Sequence, residues 1–339
     1  MRIGIACTLK PDGPPPTGAG DDWAEEFDSP ATVEAVATVL RDLGHEVRTL
    51  GDGRAFLEAV LADPPDLVFN FAEGTGVSRS REARVPAVCE MLGIPVTGSD
   101  PLALAVALDK DMTRQLVAAA GLTVPKGFTI APPPAAYDGD HAEFPALLDA
   151  AGLTCPVIVK PALEGSSKGI RRTALVRTAA EFGPAVTALW KEYRQPALVE
   201  EFIVGDEVTV GMTGNDPPQP LGVMRVVPTA PTTEFVYSLE VKRAWDGVVS
   251  YEAPAKLPRA VYAAVEADAL AAFAALGCRD VARADFRVRD GVPYFLEINP
   301  LPGLNPDSGD LCYLAYRMGR TYPELIRLIL DAAVTRCGL

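Results

Sequence analysis

A set of polar segments, scattered along the chain, constrains the fold most because the segments make chemical sense only together. They are Asp109-Lys110; Val157-Ile158-Val159-Lys160-Pro161, followed by Glu164-Gly165-Ser166-Ser167-Lys168-Gly169; Glu200-Glu201-Phe202-Ile203 with Glu207; Arg283-Ala284-Asp285; and Glu297-Ile298-Asn299-Pro300-Leu301-Pro302-Gly303. Two separated lysines, a Gly/Ser loop and a carboxylate–carboxylate–amide set are what a triphosphate and its magnesium require. Each piece is weak alone. Their order and spacing demand a fold that brings them into one cleft.

The carboxylates show how local geometry enters. Val281–Val288 and Pro293–Ile298 read as strands joined through Arg289-Asp290-Gly291. Alternation puts Arg283 with Asp285 on one face, and Glu297 with Asn299 on one face. A two-residue Asp-Gly loop pairs 285 with 296 and turns Glu297 away. A three-residue loop with Gly291 in a bulge pairs 285 with 295 and 283 with 297, gathering all four polar groups. Taken alone, the hairpin is equally an amphipathic surface element with an Arg283–Glu297 salt bridge.

The other segments carry similar alternatives. Lys160 ends an apolar strand and extends a point charge toward phosphate. The loop after it offers backbone N–H groups and hydroxyls, or is a plain turn; it lacks the Gly-x-x-x-x-Gly-Lys-Ser/Thr pattern of a P-loop. Glu200 beside Phe202-Ile203 suits the edge of an adenine and Glu207 its ribose, or the pair is a solvated acidic strand end. Asp109-Lys110 alone is a surface charge pair.

Composition excludes much else. The net charge of −14 repels nucleic-acid backbones, so no nucleic-acid partner is expected. Basic residues must then be concentrated locally. Only two histidines, His45 and His141, are present, and the six cysteines form no Cys-x-x-Cys pair. Zinc, disulfide and histidine-triad chemistry are disfavoured. No apolar window is long enough to span a membrane, and no secretory h-region follows Met1. A cytoplasmic protein without membrane partners is expected.

The 339 residues suffice for two or three domains. Strands at Ile3–Cys7, Glu46–Leu50 and Leu67–Phe71, with a helix over Ala31–Leu43, predict a β-α-β-α-β unit with a parallel sheet. Further helices are expected at Arg84–Leu92, Pro101–Ala120, Arg259–Leu276 and Pro323–Arg336, and a brief strand at Ile94–Val96. Ala131–Phe144, rich in Pro and Ala, reads as a mobile connection. No Gly-x-Gly-x-x-Gly follows the first strand, which argues against a dinucleotide dehydrogenase.

With these segments in order, the chain resembles the ATP-grasp superfamily and, within it, the D-alanine–D-alanine ligases and their relatives. The resemblance is dense over 92–110, 156–170, 198–210 and 282–308. It implies an α/β fold, α+β in its ATP-binding part. Three domains are expected: a Rossmann-like one at 1–99, a central ATP-grasp unit with the Gly/Ser loop at 100–200, and a C-terminal ATP-grasp unit at 201–339. It implies a carbon–nitrogen ligase that phosphorylates a carboxylate with ATP and lets an amine attack the acyl phosphate. The cofactors implied are ATP and two Mg²⁺ ions, with Mn²⁺ as a possible substitute. The substrates implied are small carboxylate and amine molecules, and the assembly a homodimer.

Matched motif by motif, the resemblance puts Lys110, Lys160 and Lys242 on the phosphates, Lys242 lying in a Tyr-x-x-Glu-x-Lys loop. Ser166 and Ser167 fall in the covering loop. Glu200 with the Phe202–Ile203 backbone faces adenine and Glu207 the ribose. Asp285, Glu297 and Asn299 hold metal. Arg283 and the Gly303 backbone stabilise an oxyanion. Glu25, Arg81, Arg243 and Ser308 fall in the substrate region. The departures cluster there too. The family's N-terminal Gly-Gly-x-Ser-x-Glu is absent, its His-Gly is Glu73-Gly74, its tyrosine after the loop lysine is Arg243, and Gly309-Asp310 follows Ser308. The expected function is therefore the same reaction on substrates other than two D-alanines. Authentic D-alanine–D-alanine ligation is the alternative, and a nucleotide-binding regulator without turnover a second. The intact Arg283, Asp285, Glu297 and Asn299 weigh against the regulator. Some of Arg79, Arg81, Arg84 and Arg243 are expected to read an extra carboxylate or polar group on a larger substrate; the alternative is a solvated loop in which Arg79–Arg84 pair with Glu82 and Glu90.

Overall fold

The computed structural model describes residues 1–14, 16, 19–133 and 141–339. Most of the expected Pro/Ala-rich connection, residues 134–140, lies outside them. Three sheets organise the chain.

The first is built from β1 (Arg2–Cys7), α1 (Pro30–Asp42), β2 (Glu46–Gly51), α2 (Gly53–Ala62) and β3 (Leu67–Phe71). Its strands are parallel, in the order β2-β1-β3. β1 and β3 are nearly continuous apolar runs because helices cover both faces of such a sheet. Ser29 caps α1 by accepting from the Thr32 N–H, with Pro30 in the first turn. α3 (Arg84–Leu92) stops at Gly93 in the left-handed conformation. Ile94–Val96 contributes a single parallel bridge, Val68 to Val96.

The stretch expected as one helix over 101–120 is broken. α4 (Pro101–Leu108) ends at Asp109, whose backbone is extended (φ −86°, ψ 96°) and whose carboxylate accepts from the Met112 N–H to start α5 (Lys110–Ala119). An aspartate that caps a new helix overrides the continuing apolar pattern. The break turns Lys110 inward, to 6 % exposure.

The second sheet is antiparallel, in the order β4-β7-β5-β6. It comprises β4 (Gly127–Ile130), α6 (Phe144–Ala150), β5 (Val157–Pro161), β6 (Leu175–Val176), α7 (Ala179–Tyr193) and β7 (Ala197–Glu201). The third is antiparallel and five-stranded, β10-β9-β8-β11-β12. It holds β8 (Asp206–Thr213), β9 (Gln219–Pro228), the short α8 (Leu239–Arg243), β10 (Val249–Glu252), α9 (Arg259–Ala275), β11 (Val281–Arg289) and β12 (Val292–Asn299). α10 (Asp310–Arg317) and α11 (Tyr322–Cys337) follow.

Packing does not respect the expected boundaries at 100 and 200. Ala107 of α4 and Val117 of α5 join the core of the third sheet with Val210, Phe273 and Ile298. Leu325 and Ile329 of α11 join that of the first, with Ile3, Val36 and Leu67. Helices distant in sequence cover the sheets, so contiguous segments do not coincide with the cores.

Candidate active site

The β11–β12 hairpin has the two-residue loop, with Asp290 and Gly291 both at positive φ (54° and 79°). Of the two loop alternatives it is the one that turns Glu297 away, yet the polar groups still converge. A bulge between Asp285 and Phe286 leaves Leu296 as the extra residue of β12 and shifts the register by one. Asp285 then faces Glu297, and Arg283 faces Asn299.

The buried charges on this hairpin are paired. Arg283 donates to both Asp285 oxygens, at 2.8 and 3.2 Å, and to Asp310 at 3.3 Å. Thr209 donates to Asp285 at 2.5 Å. Lys110 Nζ lies 2.6 Å from Glu297 Oε2. Burial acts to raise the Glu297 pKa, but Lys110 and Lys160 outweigh it and hold the carboxyl at about 2. Burial raises Asp285, against Arg283 and with Glu297 adding to the rise. Two carboxylates and the Asn299 carbonyl oxygen on one face are hard oxygen donors of the kind magnesium takes. The lysine and arginines around them hold that negative charge within the fold, so the donor set fits a divalent cation.

A cleft between the second and third sheets runs from this hairpin, lined by Lys160, Glu200, Phe202, Ile203, Glu207 and Lys242 among others. Lys160 and Glu200 are buried together, 2.7 Å apart. Burial opposes the lysine charge, but Glu200 and Glu297 outweigh it and raise the Lys160 pKa. Glu207 accepts from Arg287 at 2.6 Å. Arg287 also donates to the Phe235 carbonyl and lies over the Phe202 ring, 5.3 Å from its centroid. Arg287 was not singled out from sequence, although it shares the parity of Arg283 and Asp285 on β11.

The Gly/Ser loop roofs the cleft. Ser166 and Ser167 both take left-handed backbone (φ 51° and 59°). Ser167 Oγ donates to the Tyr237 carbonyl at 3.4 Å, and the Leu239 N–H donates to the Ile170 carbonyl at 2.9 Å, so the two loops touch. Gly169 must be glycine: its φ is 76°, and a Cβ there would fall 2.3 Å from Pro161 Cγ. Lys168 pairs with Glu164 at 2.8 Å.

A second and larger cavity, about 240 Å³ against about 90 Å³, adjoins the first. Glu25, Ser166, Lys242, Asn299, Gly303 and Ser308 line it. Arg283 and Lys242 line both cavities.

The arginines expected to face substrate are engaged elsewhere. Arg81 is 2 % exposed and donates to Glu26 at 2.9 Å, Glu164 at 3.3 Å and the Leu163 carbonyl at 2.7 Å. Its expected contact with substrate is corrected: it anchors the base of the Gly/Ser loop. Arg79 pairs with Asp109, and Arg84 donates to the Thr75 carbonyl. Arg243 pairs with Asp21 at 2.7 Å and Glu25 at 2.8 Å, at the rim of the second cavity. The alternative pairing of Arg79–Arg84 with Glu82 and Glu90 is not formed among the described residues.

A family profile described as "D-ala D-ala ligase C-terminus" matches residues 116–331. D-alanine–D-alanine ligase of Gluconobacter oxydans is 34% identical over 308 residues, covering 89% of this chain and 93% of its own. The chain belongs to the D-alanine–D-alanine ligase family. It is thus an ATP-grasp ligase, forming a carbon–nitrogen bond. The uncharacterised protein y4sG of Sinorhizobium fredii is 30% identical and matches over 99% of this chain and 98% of its own length. In fold, the chain is similar to D-alanine–D-alanine ligase from Bacillus anthracis complexed with ATP (TM-score 0.73, 21% identity, 100% and 99% of the two chains). It is similar also to VanG D-Ala:D-Ser ligase from Enterococcus faecalis (TM-score 0.69, 20% identity, 98% and 99%). Among the described residues, no helix is long and apolar enough to cross a membrane.

Proposed function

We propose that the protein joins two amino acids through an acyl phosphate, spending ATP to ADP and phosphate, with D-alanine–D-alanine ligation as the reading its named relatives support. The observation that carries it is the position of Arg283, which lines both cavities and faces Asn299 across the hairpin. The reacting carboxylate can therefore meet the triphosphate at the junction of the two cavities.

In this reading Glu200 and the Phe202–Ile203 backbone read adenine, and Glu207 holds ribose. Lys110, Lys160, Lys242, Ser166 and Ser167 position the phosphates. Asp285, Glu297 and Asn299 would hold two magnesium ions, replaceable by manganese, which supply charge neutralisation at the phosphates. A carboxylate oxygen of the first substrate takes the γ-phosphoryl group and ADP leaves. The amine of the second substrate, its own carboxylate held near Ser308, then attacks the acyl carbon. Arg283 and the Gly303 N–H meet the negative charge of the tetrahedral adduct, where preorganised donors matter most. Phosphate leaves as the amide forms. The Gly/Ser loop and α8 keep water from the acyl phosphate. A homodimer in the cytoplasm completes the reading and rests on the family resemblance.

Oxygen-18 in the substrate carboxylate tests the route. It should appear in inorganic phosphate; label in AMP instead would mean adenylation and overturn the mechanism.

A second reading keeps the reaction and changes the acyl donor. It is favoured by the carboxylates Asp28 and Glu73 in the larger cavity, which the methyl group of alanine leaves unmatched.

A further inference from the structure

The arginines expected to give the substrate pocket positive character are all engaged, and the larger cavity, although Lys10 and Lys242 also line it, carries more acids than bases. In the larger cavity Glu26 is held by Arg81, Glu25 by Arg243 and Asp310 by Arg283. Asp28 and Glu73 line the same cavity and, among the described residues, have no side-chain hydrogen bond or ion pair. Glu73 also lines a small pocket beneath, beside Glu82. Glu82 is only 6 % exposed, and among the described residues its carboxylate likewise has no hydrogen bond or ion pair. A buried charged group without a partner is costly.

The cations nearby do not resolve this. Arg81 is already shared by Glu26 and Glu164, and Lys110 is 2.6 Å from Glu297. Lys10 lines the cavity but is exposed and makes no ion pair with Asp28, and Lys242, also in the lining, is proposed above for the phosphates. The acids respond accordingly. Burial pushes Asp28 up to about 7 against the pull of Lys10. Burial, with Glu82 and Glu26 adding, pushes Glu73 well above the ordinary range. Burial also lifts Glu82 to about 8, against Arg81.

We propose that Asp28 and Glu73, backed by Glu82, form a subsite for a cationic side chain, so that the acyl donor is an amino acid ending in an ammonium or guanidinium group. The inference rests on the second reading above. The α-ammonium of the donor stays with Glu25, whose Oε1 is not used by Arg243. The side-chain cation reaches past it to the end of the first sheet, where Asp28 bridges Leu9 just beyond β1 and Glu73 follows β3. A cation there supplies the partner that the three carboxylates lack.

The test is phosphate release from ATP and magnesium with both enantiomers of alanine, norleucine, ornithine and lysine as acyl donor. Ornithine or lysine should exceed the near-isosteric, uncharged norleucine in kcat/KM by roughly 10–100-fold, the worth of hydrogen bonds to a charged group. In Asp28→Asn and Glu73→Gln that preference should disappear. Turnover of alanine or norleucine with no gain for the cationic donors overturns the subsite and leaves the ligase reading standing. The wild-type comparison decides this even where a variant fails to fold. No phosphate release with any donor overturns the ligase reading, and the subsite with it.

Discussion

Lys110 Nζ and Glu297 Oε2 lie 2.6 Å apart, although 187 positions separate the two residues. The contact ties the first turn of α5 to the end of β12, where the metal-binding carboxylates are proposed. It exists because Asp109 breaks the preceding helix and directs Lys110 inward.

Removing the Glu297 carboxylate should therefore affect both turnover and acid stability. Glu297→Ala is expected to lose ADP-forming activity by on the order of 10²–10³. The Glu297 carboxyl is depressed to about 2, so its stabilisation is fully present above the unfolded value, near 4.5, and is lost as pH falls toward 2. The stability gap between wild type and Glu297→Gln should be constant above about pH 5 and close through that window. Thermal melts at stepped pH would show it, and a gap that widens on acidification would refute the assignment.

Arg81→Met should destabilise the fold by about 3–5 kcal/mol, because it strands Glu26 and Glu164 in a buried setting. Urea unfolding measures this. A loss under about 1 kcal/mol would mean that the carboxylates find other partners on relaxation.

Asp28 gives the opposite pH dependence from Glu297. Its pKa is raised by burial to about 7, so the folded state holds a proton that the unfolded state releases near 3.8. Wild type should lose stability as pH rises from about 4 to about 7 on this account. Asp28→Asn, which cannot ionise, should match wild type at pH 4 and exceed its melting temperature at pH 8. Equal melting temperatures at both pH values would count against the raised carboxyl.

Arg243 and Arg171 pin the segment 20–28 to the two loops that cover the cleft. Arg243 reaches Asp21 and Glu25, Arg171 contacts Asp21 and Asp22, and the Gly169 N–H donates to Asp22. Lys168 and Arg243 are each paired with carboxylates, which removes repulsion among the basic residues of the two loops. Arg243→Ala should speed hydrogen exchange in 20–28 and 239–246 without altering β11. In the wild type, 1 M salt should raise the substrate KM, since the Debye length falls to about 3 Å. Salt-independent KM values would argue that the pairing does not govern access.

Much of this was legible in the residues themselves. Apolar runs and helical spacing mark the first sheet and the long helices because burial selects them locally. The polar segments mark the cleft because few chemistries need that combination. The route by which Asp285 and Glu297 meet was not legible: nothing in Tyr294-Phe295-Leu296 announces a bulge, and the loop alone points to the wrong face. The fate of Arg81 was hidden for a different reason. Its partner Glu26 lies 55 positions away and Glu164 lies 83, so only the assembled fold distinguishes a buried strut from a substrate contact. Arg287 could have been found by strand parity with Arg283 and Asp285.

The packing of α11 against α1 and the first sheet sets an order of events during synthesis. Val36 and Leu67 leave the ribosome before the second and third sheets, yet the side chains that seal their core, Leu325, Ile326 and Ile329, are translated after both. The parallel sheet must wait, with apolar surface open, while the second sheet can close on its own neighbours Phe182, Val186 and Trp190. Domains ordinarily mature from the amino terminus onward. Here the central sheet can mature first, and the wall of the larger cavity that carries Asp28 and Glu73 is completed only after α11 has been made.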